Sequence, residues 1–441
     1  MTAPASAPPV RRREVFGWAM FDFANSSYTT IVVTVAFGPY FKALVAPSER
    51  GDALWGTAFA VSNVLVMLLS VVLGAVADGA ARKKAFLFAS YLVCVGGTAG
   101  LYFAVPGQVS LALALFVVSN IAFSLGENFT SSFLSELSTP DNIGRISGLG
   151  WGIGYVGGLL SLAAIYPLFA GGLTAENLPR LRLVWVVNAL FFLLAGIPTF
   201  LFLRERARPT PGKTWRDHAV EGVTRVVETA REIRHFSQLA RFLVAFFLFQ
   251  AGLTTMFAFA GIYATDTVGF EAGDLIVLFL VLNVSAAIGA LGFGWVQDRI
   301  GVKLTVQITL VFWVLLCGAA YLVQTAGQFW GIAVAAGLGI GSLQSAARSM
   351  VGLFAPVEKS GEFFGFWGFA GKAAYAVGPA TFGWISAQTG NQRYGILSTG
   401  AFFLAGLVVL SFVDAAAGRR AAEEWDRRER ARDEASIPPG A

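Results

Sequence analysis

The sequence is poor in charged residues. Only 13% of its 441 residues are charged, whereas 56% are apolar, and the mean hydropathy is +0.65. Soluble domains carry about 25% charged residues, so a soluble chain of this length could not cover its apolar surface. The scarcity of charge excludes an ordinary soluble protein and predicts a polytopic membrane protein. The number of long apolar runs favours helices over a barrel.

The sequence is also poor in histidine and cysteine. His218 and His235 lie in one polar stretch without a cluster of metal-ligating residues, so we expect no metal, no cofactor and no enzyme site. Cys94 and Cys317 fall inside apolar runs, where they are typical of small core residues and not of disulfides or redox motifs. The net charge of +5 comes from loop Lys and Arg, which set membrane topology, so we expect no nucleic-acid partner.

Twelve apolar segments divide the chain into two sets of six. The first set is predicted at residues 15–45, 53–77, 85–104, 108–134, 146–171 and 181–203. The second set is predicted at residues 240–265, 273–296, 304–324, 328–352, 363–387 and 394–414. We therefore expect five parts: a disordered N-terminus (1–14), an N-terminal six-helix half (15–203), a linker (204–238), a C-terminal six-helix half (239–416) and a charged tail (417–441) that forms a frayed helix.

Basic residues predict the orientation. If both termini are cytoplasmic, 25 of the 32 Lys and Arg residues fall in cytoplasmic segments. The other side holds five: Lys42, Arg50, Arg180, Arg182 and Arg393. Arg11–Arg13 before an apolar stretch resembles a signal peptide, but that stretch contains Asp22 and lacks a clear cleavage site, so we interpret it as a retained first span.

The linker has its own periodicity. Apolar residues recur at helical spacing, with Arg and Glu on the other face: Trp215, Ala219, Val223, Val226, Ala230, Ile233 and Phe236. This pattern predicts an amphipathic helix on the inner leaflet or against the bundle.

One short charged loop occurs twice. It reads GAVADGAARKK from Gly74 and GWVQDRIGVK from Gly294, and the two aspartates, Asp78 and Asp298, lie 220 residues apart. A glycine lets one span pack closely on its neighbour, and the aspartate can accept hydrogen bonds from a helix N-terminus. The pair resembles the signature of the major facilitator superfamily. We expect gating roles for eight residues: Gly74, Asp78, Arg82, Gly294, Asp298, Arg299, Gly301 and Lys303.

The first copy of this loop departs from the family pattern, because Gly79 stands where an arginine is usual. The alternative interpretation of both copies is a basic loop that only sets topology.

Ionisable residues inside the spans are the sharpest functional signal. Asp22, Glu127, Arg348 and Lys372 fall in the first, fourth, tenth and eleventh spans. Each would cost about 2.5–3.5 kcal/mol near mid-membrane, so they should face one another or water. Two acids and two bases suit a zwitterionic substrate or two salt bridges that close a gate. Arg348 could instead reach the inner headgroups with its long side chain.

Polar neighbours at helical spacing extend these faces. We expect the substrate or coupling site to comprise Asp22, Asn25, Glu127, Asn128, Gln344, Arg348, Lys372 and Tyr375. For any single uncharged residue among them, local hydrogen bonding or helix packing is an equally good explanation.

Three segments carry a closer resemblance: GWAMFDFANSSYTTIVVTVAFGPYF, FLSELSTPDNIGRISGLGWGIGYVGG and LQSAARSMVGLFAPVEKSGEFFGFWGFAGKAAYAVGPATFG. They resemble the vacuole-effluxer-like branch of the major facilitator superfamily. The resemblance implies twelve helices in two halves, a central site and alternating access, and for the eukaryotic member export of neutral amino acids. Ala346 and Ala347 precede Arg348 where the family commonly shows Leu-Ser, so a hydroxyl is missing.

These observations favour a secondary active transporter for a small molecule. If transport is coupled to protons, Asp22 or Glu127 takes up or releases the proton. A low-dielectric site favours the neutral carboxyl group, so such a residue can titrate near neutral pH. A uniporter, a drug-efflux transporter and a non-transporting receptor are the alternatives. We expect a monomer in the lipid bilayer of a bacterial inner membrane, with a vacuolar membrane as the second choice.

Overall fold

The computed structural model describes residues 10–47, 49–169, 171–206, 217, 224, 236–270 and 272–436, and helices dominate them. The first helix, α1 (Arg12–Tyr28), continues through a π-helical stretch, Thr29–Val35, and then through Phe37–Val45. Five further long helices follow in the first half: α2 (Glu49–Gly79), α3 (Lys83–Gly100), α4 (Val109–Ser132), α5 (Ile143–Phe169) and α6 (Leu178–Phe202).

The second half has the same order of elements. Its helices are α7 (Ser237–Tyr263), α8 (Ala272–Ile300), α9 (Val302–Leu322), α10 (Ala326–Phe354), α11 (Ser360–Thr389) and α12 (Gln392–Ser411), followed by a tail helix, α13 (Ala415–Ser436). The predicted span limits agree with these bounds to within a few residues. Of the apolar residues that define the predicted linker helix, Phe236 alone is among the described residues, and both histidines lie outside them.

The multi-pass membrane class is confirmed. Among the described residues, ten helices are long and apolar enough to cross a membrane, and an eleventh results if the bent run from Arg12–Val35 into Phe37–Val45 is one span. The bend is 41°. Helix α11, with 30 residues, is outside this set, and it contains Glu362 and Lys372. Twelve spans with both termini on one side therefore remain a prediction.

Helix packing repeats between the two sets of six. Helix α1 packs on α5 and α6, α2 on α4, and α3 on α4 and α6; likewise α7 packs on α11 and α12, α8 on α10, and α9 on α10 and α12. The two sets meet through α2 against α11 and α5 against α8, with α4 touching α11 and α5 touching α10. Two pseudo-symmetric halves are the result, although the residue limits predicted for them stay predictions.

Glycines bring the two halves together at one end of the bundle. A Cβ atom on Gly74 would lie 2.2 Å from the carbonyl oxygen of Gly361, and one on Gly148 would lie 2.4 Å from that of Ala290. Both contacts lie toward the loops that hold Asp78 and Asp298, which we call the motif end, as opposed to the far end. Only glycine permits backbones to approach this closely.

The tail helix packs on the bundle, which differs from the frayed helix that its charged composition suggests. The ring of Trp425 lies 5.5 Å from that of Phe236, and the Lys359 ammonium lies 4.0 Å from the centre of the Trp425 ring. Ala422 is only 5% exposed. Apolar residues on one face of α13 dock it, and Asp426 adds a hydrogen bond from the backbone N–H of Val357 at 3.2 Å.

Helix α10 offers a matched test of this packing. A Cβ atom on Gly341 would lie 1.9 Å from the carbonyl oxygen of Ala286 in α8, whereas one on Gly331 of the same helix meets nothing within 4 Å. Gly341→Ala should destabilise the fold by about 1–3 kcal/mol because α8 and α10 must separate. Gly331→Ala should leave stability unchanged or slightly raised. Thermal unfolding in detergent measures both, and equal melting temperatures would contradict the packing.

Candidate functional site

An ion pair links the two halves deep in the bundle. One guanidinium nitrogen of Arg348 in α10 lies 2.7 Å from a carboxylate oxygen of Asp22 in α1. The other nitrogens of Arg348 donate to the hydroxyl and carbonyl oxygens of Ser147 in α5, at 3.2 and 2.9 Å. Arg348 is 1% exposed, so it does not reach the headgroups as its length allows. Three helices from both halves therefore meet at one guanidinium.

Two indole rings complete the enclosure of Arg348. Its guanidinium carbon lies 4.7 Å from the ring centre of Trp18 and 5.3 Å from that of Trp151, distances suited to cation–π attraction. A Cβ atom on Gly150 would lie 2.3 Å from a carboxylate oxygen of Asp22, so only glycine leaves room for the pair. Pairing, hydrogen bonds and aromatic faces together offset the cost of burying this charge.

The other two intramembrane charges face each other without touching. Glu127 of α4 and Lys372 of α11 interact electrostatically, yet in the described structure neither forms a direct ion pair. The Lys372 ammonium instead lies 6.0 Å from the ring centre of Phe123 and 5.5 Å from that of Tyr375. Tyr375 is 36% exposed and Glu127 is partly exposed, so this part of the interface is open. Tyr155 of α5 also lies within electrostatic range of Tyr375.

The three amide residues predicted for the site take different places. Asn25 is 6% exposed, and its side-chain oxygen has no hydrogen-bond partner among the described residues. Asn128 donates at 2.9 Å to Ser70 of α2 and packs against Gly368, which is a helix-packing role. Gln344 is 9% exposed, one turn before the arginine of α10. Asn25 is therefore the amide best placed to accept a hydrogen bond from a substrate.

Both predicted loop aspartates accept hydrogen bonds from a helix N-terminus, as the sequence predicts. Asp78 accepts from the backbone N–H groups of Gly361 and Glu362, at 3.0 and 2.8 Å, in the first turn of α11. Gly74, one turn earlier, is the residue whose lack of a Cβ lets α11 approach. The aspartate thus neutralises the positive end of a helix that belongs to the other half.

The second copy mirrors the first. Asp298 accepts from the backbone N–H groups of Gly144 and Arg145, at 2.8 and 3.3 Å, at the start of α5. The Arg145 side chain adds an ion pair at 2.7 Å to the same carboxylate. Gly294 packs on Gly144 as Gly74 packs on Gly361. Each half therefore contributes one aspartate to the motif-end closure.

A lysine supplies the positive charge that Gly79 cannot. Lys83, at the start of α3, is 1% exposed and forms an ion pair with Glu136. Its ammonium lies 3.9 Å from Asp78 and donates at 2.9 Å to the hydroxyl of Ser360 in α11. The departure of the first loop from the family pattern is therefore compensated four residues later.

The other predicted loop residues lie at the edges of this closure. Arg82 and Arg299 are exposed. Gly301 has φ = 90°, the left-handed backbone that ends α8 and starts α9. Lys303 donates to the carbonyl oxygen of Ser411 at 3.3 Å. Gating roles for all eight loop residues remain predictions, and the contacts of these four favour topology and loop geometry.

Sequence reasoning missed several residues of the site. Trp18 lies one turn before Asp22, which is a signal that helical spacing could have found. Ser147 was hidden in a glycine-rich run, and Lys83 was one of many loop cations. Tertiary contacts are what distinguish Ser147 and Lys83 from their neighbours.

This arrangement, two halves that meet around buried charges, defines a class of membrane transporter. A human organic anion transporter, MFSD10 (TETRAN), shares the fold with a TM-score of 0.71 and 16% identity over 91% of this chain and all of that one. The proton:xylose symporter XylE shares it with a TM-score of 0.69 and 14% identity over 94% and 97% of the two chains. The fold is that of the major facilitator superfamily.

The family follows from the sequence comparison. Residues 53–423 match the model of the family described as "Vacuole effluxer Atg22 like", and the chain belongs to this family. The uncharacterised MFS-type transporter YxiO of Bacillus subtilis is 28% identical over 90% of this chain and 94% of its own length. Autophagy-related protein 22-1 of Aspergillus niger is 26% identical over 72% of this chain, which spans about half, 55%, of that fungal protein. The protein is an MFS-type transporter.

The buried ion pair makes a stability prediction. Arg348→Gln leaves Asp22 as an unpaired buried charge, and should destabilise the protein by about 3–5 kcal/mol. Asp22→Asn with Arg348→Gln should recover part of that loss, because neither charge is then left alone. Arg419→Gln, which breaks an exposed pair with Glu423, is the control and should change stability by less than about 0.5 kcal/mol. Thermal unfolding of the three variants and the unchanged protein checks this, and equal losses for Arg348→Gln and Arg419→Gln would refute it.

Proposed function

We propose that the protein exports a neutral amino acid by alternating access, with the zwitterion held between Glu127 and Lys372. The observation that carries the proposal is the open pair of opposite charges, one from each half, beside the closed pair of Asp22 and Arg348. Membership of the effluxer family supports export.

The charges of the open pair match those of a zwitterion. A substrate ammonium group placed between Asn25 and Glu127 finds an acceptor oxygen on each, and the substrate carboxylate finds the ammonium of Lys372. Tyr375 and Phe123 flank the lysine and offer apolar surface to a side chain. A substrate that bridges both halves binds differently when they move, which is the requirement for coupling binding to a conformational change.

The closed pair fits the role of a latch. Asp22, Arg348 and Ser147 connect α1, α10 and α5 near the motif end, where glycine contacts also bring the halves together. Opening the motif end would separate these groups, so their attraction favours the state described here. We place the motif end at the cytoplasm because most Lys and Arg residues cluster there, and we place the protein in a bacterial inner membrane.

Glu127 is also our choice for proton coupling. It has no ion-pair partner in the described structure, while Asp22 is engaged by Arg348. Lys372 and the substrate ammonium would both favour the ionised form of the Glu127 carboxyl group. Binding of the substrate would therefore be coupled to loss of a proton from Glu127.

A ligand screen tests the substrate class. Neutral amino acids should raise the melting temperature in detergent, because a ligand present at about 100 times its Kd stabilises the folded state by about 2.7 kcal/mol. Lys372→Ala should abolish that shift, whereas Glu127→Gln, which keeps an acceptor oxygen for the substrate ammonium, should only weaken it. Arg180→Ala, in the first turn of α6, and Glu176→Gln, in the loop before it, alter exposed residues and should keep it. A shift caused by lipophilic cations alone would replace this proposal with drug efflux.

Transport in proteoliposomes tests the coupling. If Glu127 carries the proton, uptake driven by a pH gradient should fall at least about tenfold in Glu127→Gln, because the amide cannot titrate. Exchange of substrate across the membrane without a gradient should persist, since it needs no net proton movement. Unchanged pH dependence in this variant would remove Glu127 from the coupling role.

A further inference from the structure

The chain between α6 and the undescribed part of the linker enters the motif end. Residues 203–206, which we call the linker stem, leave the membrane after Phe202 and contact the starts of α1 and α3. The family comparison and the loop signature assign nothing to this stem.

Glu205 caps α3 from a distance in sequence. Helix α3 has no side-chain cap of its own, because Arg82 stands at the capping position. The Glu205 carboxylate instead accepts from the backbone N–H groups of Lys83 and of Lys84, the latter at 3.3 Å. A carboxylate at this place satisfies free N–H groups and opposes the positive end of the helix. Partial burial nevertheless raises the pKa of Glu205.

Arg206 joins two further acids to the same point. Its backbone N–H donates to Glu136 at 3.2 Å, and its guanidinium forms an ion pair with Glu14 at 2.5 Å. Glu14 is 2% exposed, so removal of its partner would leave a buried charge. The stem therefore occupies one oxygen of Glu136 and leaves the other to Lys83.

Lys83 carries these contacts to the other half. Its backbone is held by Glu205, and its ammonium lies between Glu136 and Asp78 and donates to Ser360 of α11. A long lysine side chain has many conformations in solution. Fixing its backbone and its acidic partner selects the conformation that reaches α11.

We propose that the linker stem is a positioning element of the motif-end closure, in which Glu205 and Arg206 hold Lys83 against Ser360 of the opposite half. A change in the linker beyond Arg206, such as the binding of a partner there, then acts on the closure through two side chains. The inference rests on the proposed opening of the motif end, but not on the identity of the substrate.

Alkylation of a single cysteine reports on this closure. Val71 in α2 is 7% exposed and faces Gly365 of α11, so Val71→Cys, in a variant with Cys94 and Cys317 replaced by alanine, is covered while the halves touch. Glu205→Ala should raise its rate of reaction with a water-soluble maleimide about tenfold, because Lys83 is then no longer positioned to reach Ser360, a contact that only the closed state makes. Glu205→Gln keeps one acceptor oxygen and should give a smaller rise.

A double-mutant cycle separates positioning from general loosening. Ser360→Ala removes the contact on the other half and should itself raise the rate. If Glu205 acts through Lys83 and Ser360, Glu205→Ala should add less than about twofold in the Ser360→Ala background. Multiplying effects would overturn the proposal, and so would unchanged rates in Glu205→Ala, Glu205→Gln and Arg206→Gln.

Two controls complete the design. Arg204→Gln removes an exposed charge from the stem itself, beside the two proposed positioning residues, and Glu423→Gln removes one from the tail helix. Both should leave the alkylation rate within about twofold, since surface charges contribute little. A melting curve for each variant excludes unfolding as the cause. The alkylation rate can be measured without a substrate. If the amino-acid screen fails but the double-mutant cycle shows coupling, the proposed substrate class is rejected and the proposed role of the linker stem stands.

Discussion

The cost of placing charges inside a membrane is the constraint on which the rest of this structure depends. The chain neutralises a buried arginine across the boundary between its halves: Arg348 of the second half pairs with Asp22 of the first and donates to Ser147. Such a pair stabilises the folded protein only while the two halves are in contact at the depth of the pair. The same requirement therefore stabilises the bundle and ties its stability to one arrangement of the two halves.

Close approach of backbones makes that arrangement possible. Gly150 leaves room for the ion pair, and Gly74 and Gly148 bring helices from opposite halves into contact. The loop aspartates accept hydrogen bonds from helix N-termini. The N–H groups there lack partners within their own helix and carry a partial positive charge. The cation beside each loop aspartate differs in its surroundings: Lys83, near Asp78, is buried, whereas Arg145, which pairs with Asp298, is half exposed.

The two pairs of intramembrane charges differ in geometry, and this difference bears on transport. The closed pair has short distances, two indole neighbours and almost no exposure, whereas Glu127 and Lys372 interact without contact beside the partly exposed Tyr375. Four charges of the same cost in sequence thus fall into two arrangements. The proposed function assigns the paired ones to closure and the separated ones to the substrate, because only the latter have charge left to offer a ligand.

The sequence by itself determined the membrane class, the repeat of six helices, the duplicated loops and the identity of the four intramembrane charges, because hydropathy and periodicity are local properties that every span carries. It could not decide which charge meets which, that Lys83 compensates for Gly79, that Asn128 packs on Ser70, or that the linker stem reaches α3. Those outcomes depend on how distant helices face each other. Only the tertiary structure sets that rotation and depth, since residues more than a hundred positions apart become neighbours through packing alone.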